Sequence, residues 1–351
     1  MYVLLFISRI MLELTYSLET DPLQGGWDYI LITAAGIILT AIAALPLLWL
    51  LKRRQGMGII GSAEYEYRWL GISIAAIYGI FFVYQAIRSV GRFDFFVTTI
   101  LSPNSSYLTF SILIVLAAVY AVFMGLEGLA RTAGIVLVLM TVSILTVTLA
   151  LIPQYDLYAI RPPISGTPED YMQSLFTAFS WTPEIAAIAI LAPKVKGRLN
   201  KGFFIWMGVI LLTVSLIIFV PLAVMGEFGA NKMFPFYIAS TIARLGSIER
   251  IDALMVGFWV TGMFVKISMY MMLVTMCFEK IFGKKHRTAI IIITAIIIAG
   301  VGMLFSSTIK SVYAPQLQII EQISTIAVIL VLPAIVLLGT FKKKRNVKKH
   351  E

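Results

Sequence analysis

Long runs of apolar residues recur along almost the whole chain, and short polar stretches that carry most of the charges separate them. Because a helix needs about 20 apolar residues to cross a bilayer, this pattern predicts ten membrane-spanning helices. The predicted spans are residues 2–18, 29–51, 69–90, 107–124, 132–152, 171–191, 203–226, 253–278, 288–309 and 321–341. An even number of spans places both termini on the same side of the membrane.

Composition and charge are also typical of a protein with several membrane-spanning helices. Hydrophobic residues make up 60% of the 351 residues and charged residues only 13%, whereas about 25% of the residues of a soluble domain are charged. Of the 28 Lys and Arg residues, 19 lie on one side of the predicted topology and seven on the other, so the net charge of +10 reflects topology rather than a nucleic acid partner. We therefore expect both termini in the cytoplasm, with the basic tail 342–351 against the anionic headgroups of the lipid bilayer.

The sixth predicted span has a polar centre. Its middle reads Ser180, Trp181, Thr182, Pro183 and Glu184. Proline removes a backbone donor and clashes with the preceding turn, so the helix should break near residues 179–183. A carboxylate beside opened backbone is costly in hydrocarbon unless it faces protein or a polar cavity, which makes this stretch a candidate binding site. The alternative is a plain proline kink whose glutamate is satisfied by a neighbouring helix.

Three further charges lie well inside predicted spans, away from the span ends. Arg9 and Glu13 are four residues apart on the first span and can neutralise each other, either as a structural pair or as part of a functional network. Lys266 lies in the middle of the eighth span with no acidic residue within a turn of it. Its partner must come from another helix, and Glu184 and Glu13 are the candidates. The alternative is that the lysine snorkels to an interface.

We expect no metal site, no cofactor and no enzyme activity. The chain has one cysteine and two histidines, too few for a Cys/His metal site or a disulfide framework. It also lacks the GxSxG, HExxH and P-loop patterns of common hydrolases and nucleotide-binding proteins.

Four segments together resemble the spore-germination permease family, the B subunits of endospore germinant receptors, within the amino acid/polyamine/organocation transporter superfamily. They are GWDYILITAAGIILTAIAALPLLWLLKR, MGLEGLARTAGI, FTAFSWTPEIAAIAILAPKVK and MFPFYIASTIARLGSIERIDALMVGFWVTGMFVKIS. The resemblance implies an all-α transmembrane domain over residues 1–341, in which two inverted five-helix repeats, about 1–152 and 171–341, break their first helices at a central site. The first span departs from this pattern, because SRIMLELTYSLET has no glycine to unwind it. Arg9 is then the candidate to bind a ligand carboxylate.

The resemblance further implies a B-type germinant receptor subunit in the spore inner membrane. Such a subunit senses a small amino acid-like ligand in a transporter-like cavity and signals to an A-type membrane subunit and a C-type lipoprotein. The alternative is a proton-coupled amino acid permease or exchanger that uses Lys266 or Glu184 for coupling. A pure scaffold is a weaker alternative, because it has little reason to carry these two charges. The expected ligand-binding residues are Ser180, Trp181, Thr182, Glu184 and Tyr84, and the expected charge network is Lys266, Glu184, Arg9 and Glu13.

Overall fold

The computed structural model describes residues 1–15, 22–23, 26–103, 106–164, 166–195, 197–230, 232–244, 251–306 and 315–347. This part of the chain contains fourteen α-helices and no strand. The helices are α1 Tyr2–Leu14, α2 Trp27–Ala43, α3 Leu45–Arg53, α4 Ile59–Glu66, α5 Arg68–Phe96, α6 Tyr107–Leu151, α7 Pro168–Ser180, α8 Ile185–Leu191, α9 Leu199–Ala230, α10 Pro235–Ile242, α11 Asp252–Phe282, α12 Arg287–Ser306, α13 Pro315–Ile326 and α14 Leu332–Val347. A π-helical turn, Val97–Leu101, extends α5, and another, Ala327–Val331, joins α13 to α14.

Eight helical stretches of the described residues are long and apolar enough to cross a membrane. They are Trp27–Arg53, Arg68–Leu101, Leu108–Gln154, Pro168–Lys194, Leu199–Gly226, Asp252–Phe282, Lys284–Gly302 and Ile319–Thr340. The protein is therefore an all-helical integral membrane protein. The predicted first span, 2–18, appears as the shorter helix α1, and its last three residues lie outside the described part of the chain.

The predicted fourth and fifth spans form one helical segment, α6, and the loop predicted over 125–131 is wrong. A straight helix of its 45 residues would be about 68 Å long, more than twice the ~30 Å thickness of the hydrocarbon core. Gly125 interrupts it with φ 86° and ψ 176°, a conformation that suits glycine because glycine has no Cβ.

Two hydrogen bonds give the direction of α6 after Gly125. The Val122 carbonyl oxygen accepts one from Arg287, just beyond the end of α11, whereas the Ser143 hydroxyl donates one to the Leu254 carbonyl oxygen at the start of α11. The arm after Gly125 therefore runs antiparallel to α11.

The predicted break in the sixth span is confirmed. Helix α7 ends at Ser180, α8 begins at Ile185, and the residues between them are not helical. Thr40 on α2 donates its hydroxyl hydrogen bond to the Phe179 carbonyl oxygen at 2.7 Å, which satisfies a backbone group at the break. In hydrocarbon such a partner is needed, since no water replaces it.

The segment that precedes the break is attached to the start of α2. The Asp28 carboxylate accepts hydrogen bonds from the Ile164 backbone N–H at 2.9 Å and from the Tyr171 hydroxyl at 2.6 Å. The Trp27 backbone N–H donates to the Arg161 carbonyl oxygen at 3.2 Å. These bonds attach residues 161–164 and Tyr171 to the start of α2.

Helix α11 lies at the centre of the bundle. It is the most deeply buried of the eight candidate spans, and it packs against α1, α5, α6 and α12. Gly262 allows the close approach of α1, because a Cβ at that position would meet the Met11 sulfur. This packing brings α1, α8 and α11 together at the level of the helix break.

Candidate functional site

The break in the sixth span presents a fully buried carboxylate, that of Glu184. Its Oε1 oxygen accepts a hydrogen bond from Ser8 Oγ on α1 at 2.8 Å and one from the Tyr270 hydroxyl on α11 at 3.2 Å. The Lys266 ammonium lies 3.5 Å from the same oxygen. Side chains from two other helices therefore converge on one carboxylate oxygen.

Lys266 is held from two sides. Its ammonium donates to the Ser8 carbonyl oxygen at 2.9 Å as well as facing Glu184. The lysine side chain is only 2% exposed and the glutamate 0%, which excludes the snorkelling alternative. Of the two predicted partners for Lys266, the structure brings Glu184 to it. Because an isolated buried charge is strongly destabilising, each of the two residues supplies the counter-charge that the other needs.

Part of the site keeps unused hydrogen-bonding capacity. Within the described residues, Glu184 Oε2 and Thr182 Oγ1 are buried and have no hydrogen-bond partner. These two polar atoms lie two residues apart in the non-helical turn. Buried polar atoms are rarely left without a partner in folded proteins, and exceptions are common at functional sites.

The other residues predicted to bind a ligand do not all join Glu184. The Ser180 hydroxyl donates to the Thr177 carbonyl oxygen at 2.8 Å and so completes the last turn of α7. Trp181 is half-buried at the end of the same helix. Tyr84 lies on α5, where it interacts electrostatically with Glu321 and Arg88, and it belongs to a second cluster described below.

Arg9 and Glu13 form the predicted pair on α1. The Arg9 Nη1 to Glu13 Oε2 distance is 2.9 Å, and both side chains are buried. Arg9 Nε and Nη2 have no hydrogen-bond partner among the described residues. Glu13 lines a cavity of about 20 Å³ beside Pro221 and Phe236, which is large enough for one water molecule.

A second buried ion cluster was not predicted from the sequence. Arg88 and Arg92 on α5 both contact Glu321 Oε2 on α13, at 3.4 and 3.1 Å. The predicted third span, 69–90, ends between these two arginines, whereas α5 continues to Phe96 and buries both side chains. Their four-residue spacing, followed by the apolar stretch FDFFVTTIL, is the signal that points to a longer helix.

The two clusters are close enough to influence each other. Lys266 interacts electrostatically with Glu321 and Arg92 as well as with Glu184 and Arg9. No group of three or more His, Cys, Asp or Glu residues that could hold a metal ion is found in the described part of the chain. The two clusters form a network of charged side chains at the meeting point of α1, α5, α8, α11 and α13.

Two larger cavities lie beyond the far end of α8. One of about 620 Å³ is lined by the end of α3, the loops after α3 and α8 and the start of α9, including Lys52, Arg198 and Lys201. The other, about 320 Å³, reaches Ala189 and Ile190 on α8 itself. Residues 185–188 of α8 are fully buried and separate Glu184 from these cavities. The carboxylate site is closed on this side by one turn of helix.

The fold and the site define a polytopic helical membrane protein in which one helix is broken around a buried, lysine-paired carboxylate. Comparison with known proteins gives the family: the profile of the spore germination protein family matches residues 3–314. The chain belongs to this family.

Relatives in two Bacillus species are similar to this chain at low identity. Spore germination protein XB of Bacillus anthracis is 23% identical over 177 residues, 49% of each chain. The putative spore germination protein YfkT of Bacillus subtilis (strain 168) is 24% identical over 66% of each chain. Spore germination protein KB of the same strain is 24% identical over 60% of this chain and 58% of its own length. The chain thus spans between about half and two thirds of the length of these relatives.

Proposed function

We propose that this chain is a B-type germinant receptor subunit that senses a small amino acid-like ligand at the break between α7 and α8. The observation that carries the proposal is the pair of acceptors around Lys266, the Ser8 carbonyl oxygen and the Glu184 carboxylate. A backbone carbonyl and a carboxylate at a broken helix are suitable partners for a ligand ammonium. In this structure the ammonium of Lys266 occupies the position proposed for the ligand ammonium.

The ten-span architecture with two inverted repeats is also a proposal. Helix α1 adds one span to the eight candidates, and the reversal at Gly125 divides α6 into two. Ser111 at the start of α6 contacts Asp94, and the neighbouring Phe93 stacks on Trp259 near the start of α11. The first arm of α6 therefore runs parallel to α11 and the second antiparallel, as two consecutive spans do. The repeats are then about 1–152 and 171–341, with both termini cytoplasmic.

In this proposal the ligand acts by favouring one arrangement of the repeats. A ligand shifts such an equilibrium only through different affinities for the two states, and Glu184 contacts elements of both repeats, α1 and α11. The change would pass to an A-type membrane subunit and a C-type lipoprotein in the spore inner membrane. The names of the relatives as spore germination proteins support the role in germination. The proposal involves neither a cofactor nor an enzymatic step.

Ligand binding by the purified full chain tests the proposal. We expect at least one proteinogenic L-amino acid to raise the melting temperature in detergent, and Glu184→Gln to weaken that binding about tenfold or more, because a hydrogen bond to a charged group is lost. Glu127→Gln is the matched control, since the Glu127 side chain is 80% exposed. The proposal fails if no amino acid stabilises the wild type or if the two variants behave alike.

A proton-coupled permease is the second candidate, because Lys266 is a buried titratable group within the same network. The same proteins in proteoliposomes separate the two functions. Accumulation of the binding amino acid under an imposed pH gradient, lost in Lys266→Met, would identify a permease. Binding without accumulation is the result expected of a sensor.

A further inference from the structure

The cluster of Arg88, Arg92 and Glu321 differs from an ordinary ion pair because it contains two arginines and one glutamate. Two guanidinium groups share a single carboxylate oxygen, at 3.4 and 3.1 Å. All three side chains are more than nine-tenths buried. The cluster thus holds two guanidinium groups and one carboxylate, an arrangement that is costly in the interior of a membrane protein.

The cluster is also rich in hydrogen-bond donors. Arg92 Nη1 has no hydrogen-bond partner in the described part of the chain, and neither has Nε2 of Gln85, which is 1% exposed. Gln85, Arg88 and Arg92 recur at intervals of three and four residues, so they lie on one face of α5. Arginine guanidinium groups bind carboxylates through two parallel hydrogen bonds. Unused donors on this face match a carboxylate with two free oxygens.

We propose that Arg88 and Arg92 form a carboxylate-binding site for the ligand, and that Glu321 is an internal occupant which the ligand carboxylate displaces. The inference rests on the proposed function and deepens it, since it assigns the carboxylate end of the amino acid-like ligand. Arg9, the residue expected to take this role, also keeps two unpartnered donors, but its charge is matched one to one by Glu13 at 2.9 Å. The first helix is continuous from Tyr2 to Leu14, so it offers no opened backbone to a carboxylate over that length.

The ammonium and the carboxylate of the ligand would then each replace a side chain of the ligand-free protein. Lys266 stands in for the ligand ammonium at Glu184, and Glu321 stands in for the ligand carboxylate at the arginines. Lys266 and Glu321 interact electrostatically, so a change of charge at one position acts on the other. Release of Glu321 from the arginines would also loosen the attachment of α13 at the neighbouring residue, Gln322. The Gln322 amide donates a hydrogen bond to the Thr177 hydroxyl on α7 at 3.1 Å. Ligand binding would thereby reach the helix that precedes the break.

Matched probes test this assignment on the purified full chain in detergent, with melting temperature as the readout of binding. The probes are L-alanine and L-valine, their amides, which lack the carboxylate, and propionate, which lacks the ammonium. We expect the amino acids to bind at least about tenfold more tightly than their amides. Arg92→Gln should remove that difference, and Glu321→Gln should increase amino acid affinity several-fold because the internal competitor is lost. Arg131→Gln, at an exposed ion pair, should change neither.

The double variant Arg92→Gln/Glu321→Gln covers the case in which a single change prevents folding, because it removes one charge of each sign. It should bind amino acids and amides equally. The inference is overturned if amino acids and amides bind the wild type alike, or if Arg92→Gln and the double variant both still prefer amino acids to amides. In either case the proposed function would stand. If propionate binds in an Arg92-dependent manner but no amino acid does, the proposed function fails and the carboxylate site remains. If neither propionate nor any proteinogenic L-amino acid binds, both are overturned.

Discussion

Lys266 is held by two acceptors from different helices, the Ser8 carbonyl oxygen on α1 and the Glu184 carboxylate before α8. A buried ammonium and a buried carboxylate each have a large desolvation cost, and their mutual attraction offsets it only when both are present. The pair therefore stabilises one arrangement of α1, α8 and α11, whereas either charge alone opposes folding.

Removal of one partner should be much more damaging than removal of both. We expect Lys266→Met to lower the free energy of unfolding by about 3–5 kcal/mol, because Glu184 is left buried without a counter-charge. The double variant Lys266→Met/Glu184→Gln should recover most of this loss. Unfolding of the detergent-solubilised protein, followed by circular dichroism, measures both changes.

The exposed pair of Arg131 and Glu127 is the control for this experiment. Its side chains are 79% and 80% exposed, so Glu127→Gln should change the free energy of unfolding by less than about 0.5 kcal/mol. A Lys266→Met protein as stable as the wild type would contradict the buried ion pair.

Single residues could be predicted from the sequence where the signal is local. Lys266 and Glu184 each stand in an apolar run and are therefore recognisable as buried charges, but the sequence leaves Glu13 as an equal candidate for the partner. The sequence also predicts that Arg9 and Glu13 can pair, and the fold places them 2.9 Å apart, which leaves Glu184 as the partner of Lys266. Arg92 is missed because its partner, Glu321, is 229 residues away along the chain and the arginine lies two residues beyond a predicted span.

At the scale of elements, the break between α7 and α8 depends on close packing of α2. Gly36 on α2 faces Ala178 on α7, so that the two backbones approach without an intervening side chain. One turn later on α2, Thr40 binds the Phe179 carbonyl oxygen. The small residue permits the approach, and the hydroxyl then satisfies the backbone that the break exposes.

A methyl group at this contact should separate the two helices. In Gly36→Ala the new Cβ would lie 2.5 Å from the Ala178 Cβ and 2.8 Å from its carbonyl carbon, and we expect a loss of about 1–3 kcal/mol in the free energy of unfolding. Gly208→Ala on α9 is the matched control, with no atom within 4 Å, and should be neutral or stabilising by up to about 1 kcal/mol. Equal melting temperatures for the two variants would argue against the close contact.

The elements differ in how far their sequence reveals them. The break in the sixth span is predictable, because Pro183 and its polar neighbours are local signals inside an apolar run. The reversal in α6 is predicted between residues 124 and 132, but not its form, since the charged residues after Gly125 resemble a loop by hydropathy and are helical in the structure. The structure turns the chain at one glycine instead, because φ 86° is accessible to it.

At the scale of the whole molecule, the charge clusters join both proposed repeats. Arg88 and Arg92 lie in the first repeat and Glu321 in the second, while Ser8 and Glu184 make the same kind of connection through α1. Polar contacts are therefore concentrated between the two halves, where alternative arrangements of the repeats would exchange partners. This connection depends on the proposed ten-span topology.

Cysteine accessibility tests that topology in a Cys277→Ala background, which removes the buried native thiol. The ten-span arrangement puts Tyr158 outside and Arg131 and Lys285 in the cytoplasm, and all three side chains are exposed to solvent or lipid rather than buried. In intact cells we expect a membrane-impermeant maleimide to label Tyr158→Cys alone, and to label Arg131→Cys and Lys285→Cys only after permeabilisation. Labelling of Arg131→Cys together with Tyr158→Cys in intact cells would place both ends of the second arm of α6 outside. That result would contradict the ten-span arrangement, because the second arm would then not cross the membrane.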